Sequence, residues 1–272
     1  MRVRAFAKIN RSLRVLGLRP DGFHELRTVF QSIALHDTLT IRHVRGPFQL
    51  TCDDPSCPSD RSNLVWHAVG QAWKAAGRRG APHGLAIHVE KRIPMSAGLG
   101  GGSSDAAAAL RALSRTWRID PARVRTIAAS IGADVPYFLE GGTVLGVERG
   151  DVLFPLLDAP RAWIVLAIPS FGVSTSDAFA WWDRSKRGRT PFANDLEPVV
   201  ARRHPEIARL VRALNRAGAS QASMSGSGSA VFGLFPTRRA AVAAVESLSR
   251  PGRRLILTRT VDRAACQALA AK

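Results

Sequence analysis

A glycine-rich segment at Pro94–Asp105 constrains the fold of this chain more than any other feature of its sequence. The segment reads Pro-Met-Ser-Ala-Gly-Leu-Gly-Gly-Gly-Ser-Ser-Asp, and four of the five residues from Gly98 to Gly102 are glycine. An alternating apolar stretch typical of a strand precedes it, and an alanine-rich helical pattern follows it. Glycine lets the backbone approach a ligand without interference from Cβ, and the first N–H groups of a helix have no partner within the helix. The sequence therefore predicts an anion site suited to phosphates at the start of this helix.

The simpler interpretation of the same segment is a tight strand-to-helix turn in which a serine or an aspartate caps the helix. The density of glycine exceeds what such a turn requires, so we favour phosphate binding, with Ser103 and Ser104 as hydroxyl donors. Neither of two common nucleotide motifs is present. No Gly-Lys-Ser/Thr follows the loop, and Ser103 stands where a dinucleotide fingerprint has its third glycine.

The order of the remaining apolar patterns favours an α+β fold over a doubly wound parallel sheet. Strand and helix patterns do not alternate strictly along the 272 residues, which suffice for one large unit or two modest domains. Val3–Ala7 and Val15–Leu16 are interpreted as two strands. Thr38–Val44 and Phe48–Thr51 are interpreted as two more, paired with each other.

Composition and cysteine usage predict a cytoplasmic protein. No apolar run approaches the roughly 20 residues that span a bilayer, and the N-terminus lacks the features of a signal peptide. Cys52, Cys57 and Cys266 form an odd set in a long chain, and their spacing matches no common zinc signature. We therefore expect no disulfide framework, no metal bound through cysteine and no membrane partner.

The formal net charge of +18 favours anionic partners such as nucleic acid, acidic lipid or phosphorylated metabolites. The arginines are scattered, no basic tail occurs, and no aromatic–basic stretch of the kind that stacks bases is present. We interpret the charge as a modest pull toward polyphosphate ligands and expect no nucleic acid partner. A basic nucleic-acid-binding protein is kept as the alternative from a different class.

Three shorter segments gain meaning only in combination with the glycine-rich one. Ala7–Asn10 places a lysine and an asparagine at a strand end, Gly132–Pro136 places Asp134 just after a helix stop, and Met224–Phe232 holds a second glycine- and serine-rich turn. Taken singly, they are typical of a surface lysine, a turn aspartate and a hairpin turn.

In this order, the four segments resemble the motifs of the GHMP kinase superfamily, over residues 5 to about 235. Three finer segments, Arg19–His24, the triple glycine before Ser103 and Asn194–Pro198, are similar to the branch whose acceptor is a methylerythritol carrying a cytidine diphosphate group. The resemblance implies a GHMP kinase fold, with an N-terminal α/β domain like one from a ribosomal protein at 1–158. It implies a C-terminal ferredoxin-like domain at 159–272.

The resemblance also implies a reaction and its residues. ATP would phosphorylate the 2-hydroxyl of the acceptor in non-mevalonate isoprenoid precursor biosynthesis, with Mg²⁺ accompanying the nucleotide. Asp134 would take the proton of that hydroxyl, and Lys8 would orient Asp134 and offset charge on the transferring group. The implied nucleotide-binding residues are Asn63, Lys91, Pro94, Gly98, Leu99, Gly100, Gly101, Gly102, Ser103 and Ser104.

On the acceptor side, the sequence matches the family pattern less closely. The implied acceptor-binding residues are Asn10, Phe23, His24, Thr175 and Phe179. The cytosine would lie beside Phe23 and His24, with Phe179 stacked on its other face. The chain departs from the usual pattern at Phe23, where tyrosine is common, so a hydroxyl is missing there. The stretch Trp181–Arg189 is unusually basic.

Another kinase of the superfamily, of mevalonate or homoserine type, is the nearest alternative. Asp21–His24 separates the two, because a base-binding segment would serve neither of those acceptors. The presence of both Lys8 and Asp134 disfavours a catalytically inactive binding module. The resemblance leaves the protein ligands of Mg²⁺ open, and it leaves the choice between monomer and homodimer open.

Overall fold

The computed structural model describes residues 1–185 and 192–268. In these ranges the strands form two sheets. The first has the order β3-β4-β2-β5-β6, with β1 paired to β2. Its strands are β1 (Arg2–Leu18), β2 (His24–Pro47), β3 (Gln49–Cys52), β4 (His83–Glu90), β5 (Thr143–Glu148) and β6 (Val152–Pro155). All its pairs are antiparallel except β3 with β4, which run parallel.

The second sheet has the order β10-β7-β9-β8 and is antiparallel throughout. Its strands are β7 (Trp163–Ile168), β8 (Gln221–Met224), β9 (Val231–Phe235) and β10 (Arg254–Arg259). The helices of the first half are α1 (Leu64–Ala75), α2 (Gly101–Trp117), α3 (Pro121–Ile131) and α4 (Val135–Glu140). Those of the second half are α5 (Thr175–Asp183), α6 (Glu197–Arg203), α7 (Pro205–Arg216), α8 (Arg238–Leu248) and α9 (Arg263–Gln267). The prediction of an α+β fold is confirmed.

Two predictions about individual strands are wrong. Val3–Ala7 and Val15–Leu16 belong to the single long strand β1, because bulges along it allow a bend without loss of pairing to β2. The strand predicted at Phe48–Thr51 does not pair with Thr38–Val44. It lies in β3, which pairs with β4, and β4 separates it from β2.

Buried apolar side chains hold the two sheets together beside the glycine-rich loop. Ile9 of β1 and Ile33 of β2 pack in one cluster with Leu166 of β7 and Phe232 of β9. Leu99, from the loop itself, is buried in the same cluster. The loop is thus fixed from below by both sheets. Among the described helices, none is long and apolar enough to cross a bilayer.

Candidate active site

A cleft of about 1000 Å³ opens above this cluster. Its walls come from β1, β2, the glycine-rich loop, the start of α5 and the turn at Gly226–Gly228. The volume is at the upper end of the range for small-molecule sites. The cleft therefore has room for two ligands of moderate size.

The glycines of the loop differ in why the structure favours glycine at each position. Gly98 and Gly100 both have φ of +72°, and Gly98 packs so tightly that a Cβ there would lie 2.1 Å from the carbonyl oxygen of Ser225. Gly102 is different, because apart from its chain neighbours and the backbone of its own helix, no described atom lies within 4 Å of the position its Cβ would take. Gly100 begins α2 without a side-chain cap among the described residues. The first N–H groups of α2 and the open space at Gly102 together suit a phosphate group.

Lys8 and Asp134 meet at one wall of the cleft. Nζ of Lys8 lies 3.6 Å from Oδ2 of Asp134 and donates to Oδ1 of Asn10 at 2.7 Å. Lys8 is buried, whereas Asp134 is about one-third exposed at the N-terminus of α4. The backbone N–H of Lys8 donates to the carbonyl oxygen of Leu99 at 3.1 Å, which joins β1 to the loop. Asn10 is fixed in turn, since its Nδ2 donates to Oγ1 of Thr28 at 2.8 Å.

Lys91 lies behind the loop and is engaged by two carboxylates. Its Nζ lies 2.5 Å from Oδ2 of Asp37 and 2.9 Å from Oδ2 of Asp105, and all three side chains are buried. Oδ1 of Asp37 also accepts from the backbone N–H groups of Arg92 and Ile93. The cluster therefore connects the chain that leads into the loop with the first turn of α2. We call Asp37, Lys91 and Asp105 the carboxylate–lysine cluster.

Burial and charge act in opposite directions within this cluster. Burial lowers the pKa of Lys91, but the charges of Asp105 and Asp37 outweigh it and raise that pKa above its ordinary value. Burial raises the pKa of Asp105 to about 8, although Lys91 acts in the opposite direction. Oδ1 of Asp105 has no hydrogen-bond partner among the described residues. One ammonium between two buried carboxylates is best balanced when one carboxyl keeps its proton.

The two serines after the glycines face different ways. Ser103 lines the cleft, as predicted. Ser104 is buried, its hydroxyl donates to the carbonyl oxygen of Phe6 at 2.7 Å, and its N–H donates to the carbonyl oxygen of Gly100. The predicted phosphate-facing hydroxyl at Ser104 is therefore wrong. The side chain of Ser104 instead joins α2 to β1.

The other predicted nucleotide-binding residues line the cleft, but the side chains of some of them are already engaged by neighbouring residues. Asn63 caps α1, with Oδ1 accepting from the N–H of Val65 at 2.9 Å and Nδ2 donating to the carbonyl oxygen of Pro58 at 2.7 Å. The side chain of Leu99 is buried in the apolar cluster. Pro94, Gly98, Gly100, Gly101 and Lys91 also line the cleft. The ammonium of Lys91 is occupied by its carboxylates, so only the rest of the residue is available to a ligand.

The predicted acceptor-binding residues line the same cleft, and we call the part that they line the acceptor end. Phe23, His24, Thr175 and Phe179 all line it. The rings of His24 and Phe179 stack on each other with centroids 4.5 Å apart, and Nε2 of His24 lies 3.0 Å from Oδ1 of Asp183. One face of Phe179 is therefore covered, and a base could stack only on the other. Residues 186–189 of the basic stretch Trp181–Arg189 lie outside the described residues.

Sequence reasoning missed several residues that shape the site. Asn194 donates through Nδ2 to the carbonyl oxygens of Met224 and Gly226, at 2.8 and 2.7 Å, and so fixes the second glycine turn. Glu197 accepts from the N–H of Met224 at 2.8 Å. The sequence marks Asn194–Pro198 as a family motif but predicts no role for it. The partnership of Asp37 and Asp105 with Lys91 left no sequence signal, because Asp37 is 54 residues from Lys91.

Comparison with known proteins gives consistent similarities. Residues 63–142 match the GHMP kinases N terminal domain, and residues 184–254 match the GHMP kinases C terminal domain. The chain is 44% identical to a 4-diphosphocytidyl-2-C-methyl-D-erythritol kinase of Solibacter usitatus, over 90% of this chain and 84% of that one.

Two solved structures extend the comparison. A crystal structure of a 4-(cytidine 5'-diphospho)-2C-methyl-D-erythritol kinase superimposes with a TM-score of 0.82 at 34% identity, covering 96% of this chain and 99% of that one. A crystal structure of mevalonate kinase has a TM-score of 0.69 at 12% identity, with coverage of 96% and 99%. The second likeness concerns the fold alone.

Proposed function

Since the chain belongs to the GHMP kinases and, within them, to the 4-diphosphocytidyl-2-C-methyl-D-erythritol kinases, we propose that it transfers a phosphoryl group from ATP to the 2-hydroxyl of 4-diphosphocytidyl-2-C-methyl-D-erythritol. The fold and the kinase class predicted from the sequence are thereby confirmed. One observation carries the chemistry. Lys8 and Asp134 lie as an ion pair in the same cleft as an uncapped helix start with room for phosphates.

The glycine-rich loop is the proposed cradle for ATP. The N–H groups at the start of α2 face the cleft and carry the positive end of the helix dipole. Gly102 leaves space for close approach, and the hydroxyl of Ser103 adds a donor. ATP, bound with Mg²⁺, supplies the phosphoryl group and partly neutralised phosphates. Magnesium in such sites needs only one or two protein carboxylates besides phosphates, and the partly exposed carboxylate of Asp134 lines the cleft.

Asp134 is the proposed base, and Lys8 is the proposed partner that orients it and offsets charge on the transferring phosphoryl group. The carboxylate is exposed enough to meet a hydroxyl, and the buried ammonium lies 3.6 Å away. Lys8 is held by Asn10, which also lines the cleft and is proposed to help hold the acceptor. Phosphoryl transfer mainly needs positioning and charge stabilisation, and this arrangement supplies both.

The acceptor is proposed to enter from the end where Phe23, His24, Thr175 and Phe179 line the cleft. His24 lies against Asp183, which fixes its ring. The rings of Phe23 and Phe179, which both line the cleft, are apolar surfaces suited to a base. A pocket of this kind distinguishes a cytidylated acceptor from mevalonate or homoserine, which carry no base.

Turnover assays on a panel of acceptors test this function. ATP, Mg²⁺ and the purified protein are incubated with the cytidylated acceptor, mevalonate or homoserine, and ADP release is measured. We expect turnover with the cytidylated acceptor alone. Turnover only with mevalonate or homoserine would overturn the acceptor and leave the kinase class standing. Nucleic acid binding that falls steeply with salt, without ATP turnover, would support the rival class.

Three further proposals accompany this function. The division into units at 1–158 and 159–272 is supported by its position in the stretch 156–162, between the strands of the two sheets. A cytoplasmic location is supported by the cysteine usage of the chain. We propose a monomer or homodimer that acts on a small molecule and needs neither a membrane nor nucleic acid.

A further inference from the structure

The cleft must hold two phosphorylated ligands, yet it offers little accessible positive charge. Among the described residues, the lysine and arginine side chains that line it are Lys8, Lys91 and Arg149. The side chains of Lys8 and Lys91 are 5% and 4% exposed, and both are already paired with carboxylates. The side chain of Arg149 is 32% exposed. Arg149 is therefore the lining cation best able to meet a second anionic ligand.

Arg149 lies in the turn between β5 and β6 and is oriented by its neighbour. Its Nε and Nη2 donate to Oδ2 of Asp151, at 3.1 and 2.5 Å, and Asp151 is largely buried. Nη1 makes no hydrogen bond to any residue that the structure describes, so its donors are available. An arginine held along one edge of its guanidinium can present the other edge to an anion with little further loss of freedom.

The position of Arg149 associates it with the acceptor end of the cleft. Its guanidinium carbon lies 5.0 Å from the centroid of the Phe23 ring, within the range of a cation–π contact. Phe23 is where this chain lacks the common tyrosine hydroxyl. The contact restrains the exposed ring and places the guanidinium next to the proposed base-binding surface.

We propose that Arg149 is a specificity-determining residue that binds the diphosphate of the acceptor through Nη1, while its face holds the Phe23 ring in place. The inference rests on the proposed function, since it takes a nucleoside diphosphate as the acceptor group. Two anionic phosphates joined to a cytidine match a fixed arginine edge beside an aromatic ring. The ATP cradle at α2 does not involve this residue.

Binding of CDP and cytidine, measured by titration calorimetry, tests the inference without turnover. Removal of a charge-assisted hydrogen bond should weaken CDP binding by Arg149→Gln about 10- to 100-fold. Cytidine binding should change less than about threefold, because cytidine has no phosphate. Arg149→Lys keeps the charge but loses the planar fork, so its affinity for CDP should lie in between. Arg45→Gln, at an exposed arginine outside the cleft, is the matched control.

The outcomes separate this inference from the proposed function. The phosphate role of Arg149 is overturned if Arg149→Gln binds CDP as tightly as the wild type does. It is also overturned if the variant loses affinity for cytidine and for CDP by equal factors. Turnover of the cytidylated acceptor by the wild type would still stand in that case. If the wild type binds no CDP and phosphorylates another alcohol, both the inference and the proposed acceptor fall. The KM for ATP should be unchanged in Arg149→Gln. If the KM for ATP rose by the same factor as the KM for the acceptor, that result would also contradict the inference.

Discussion

The ammonium of Lys8 lies 3.6 Å from the carboxylate of Asp134, and the two differ sharply in exposure. The lysine is buried and held by Asn10, while the carboxylate reaches the cleft. This difference in exposure suits a lysine that is fixed in place beside a carboxylate acting as a base. The buried cation is positioned to orient the partly exposed carboxylate toward a hydroxyl in the cleft.

Replacement of Asp134 by asparagine should lower kcat about 10²- to 10⁴-fold, because the amide cannot accept the proton of the hydroxyl. The KM for ATP should change little, since the glycine-rich loop stays intact. Steady-state kinetics with both substrates measures the effect. Asp177→Asn, on the exposed first turn of α5, controls for the loss of one carboxylate. Near-normal turnover by a folded Asp134→Asn protein would remove Asp134 as the base.

Two glycine-to-alanine replacements should separate the stability of the loop from its binding role. Gly98→Ala would combine a positive φ with a clash against the carbonyl oxygen of Ser225, and should lower the free energy of unfolding by more than about 2 kcal/mol. Gly102→Ala meets no described atom within 4 Å and should change stability by less than about 1 kcal/mol. Urea unfolding gives both values.

The same Gly102→Ala variant tests where phosphates bind. A methyl group in the open space should weaken ATP binding at least about tenfold, the cost of one hindered hydrogen bond. Calorimetric titration with a non-hydrolysable ATP analogue measures this. Unchanged affinity in a stable Gly102→Ala protein would place the phosphates elsewhere.

The glycine-rich loop can be predicted from its local sequence. The features that the sequence does not reveal depend on contacts between residues far apart in the chain. Four glycines before a helix indicate a phosphate site without knowledge of the rest of the chain. The family resemblance implies a place for Lys91 near the nucleotide, but it does not reveal the carboxylate partners of Lys91, which come from β2 and α2. The sequence does not reveal which way Ser104 faces, because the rotation of α2 relative to the cleft depends on packing against β1. The pairing of β3 with β4 was likewise set by tertiary structure and not by the proximity of two strands in sequence.

Cys57 offers a chemical probe of nucleotide binding. It lines the cleft, and its Sγ lies 3.6 Å from Nδ2 of Asn63. Burial raises the pKa of Cys52 to about 12 and also raises the pKa of the buried Cys266, so both should react slowly. We expect a thiol reagent to modify Cys57 first, and ATP at ten times its Kd to slow that reaction about tenfold.

Mass spectrometry of the labelled protein identifies the modified thiol, and Cys57→Ser should abolish the fast phase. CDP should not protect Cys57, because the residues proposed to bind the acceptor include neither Cys57 nor its neighbour Asn63. Equal protection by CDP would contradict the placement of the two ligands.

The carboxylate–lysine cluster should make stability depend on pH through Asp105. Its pKa is raised to about 8 in the folded protein, mainly by burial, from an ordinary value near 3.8. Between these values the folded chain keeps a proton that the unfolded chain has lost. The contribution of Asp105 to the free energy of unfolding should therefore decrease as pH rises from about 4 to about 8, and level off above that.

Asp105→Asn mimics the protonated carboxyl and cannot titrate. The free energy of unfolding of this variant should therefore lack the decrease with pH that Asp105 causes in the wild type. Urea unfolding of both proteins at pH 5, 6.5 and 8 gives the comparison. The stability of the wild type relative to Asp105→Asn should fall steadily across the series. Glu246→Gln, at an exposed position on α8, controls for the removal of an acidic group and should follow the wild type. Parallel curves for wild type and Asp105→Asn would mean that Asp105 holds no extra proton, and that Lys91 alone balances two ionised carboxylates beneath the loop.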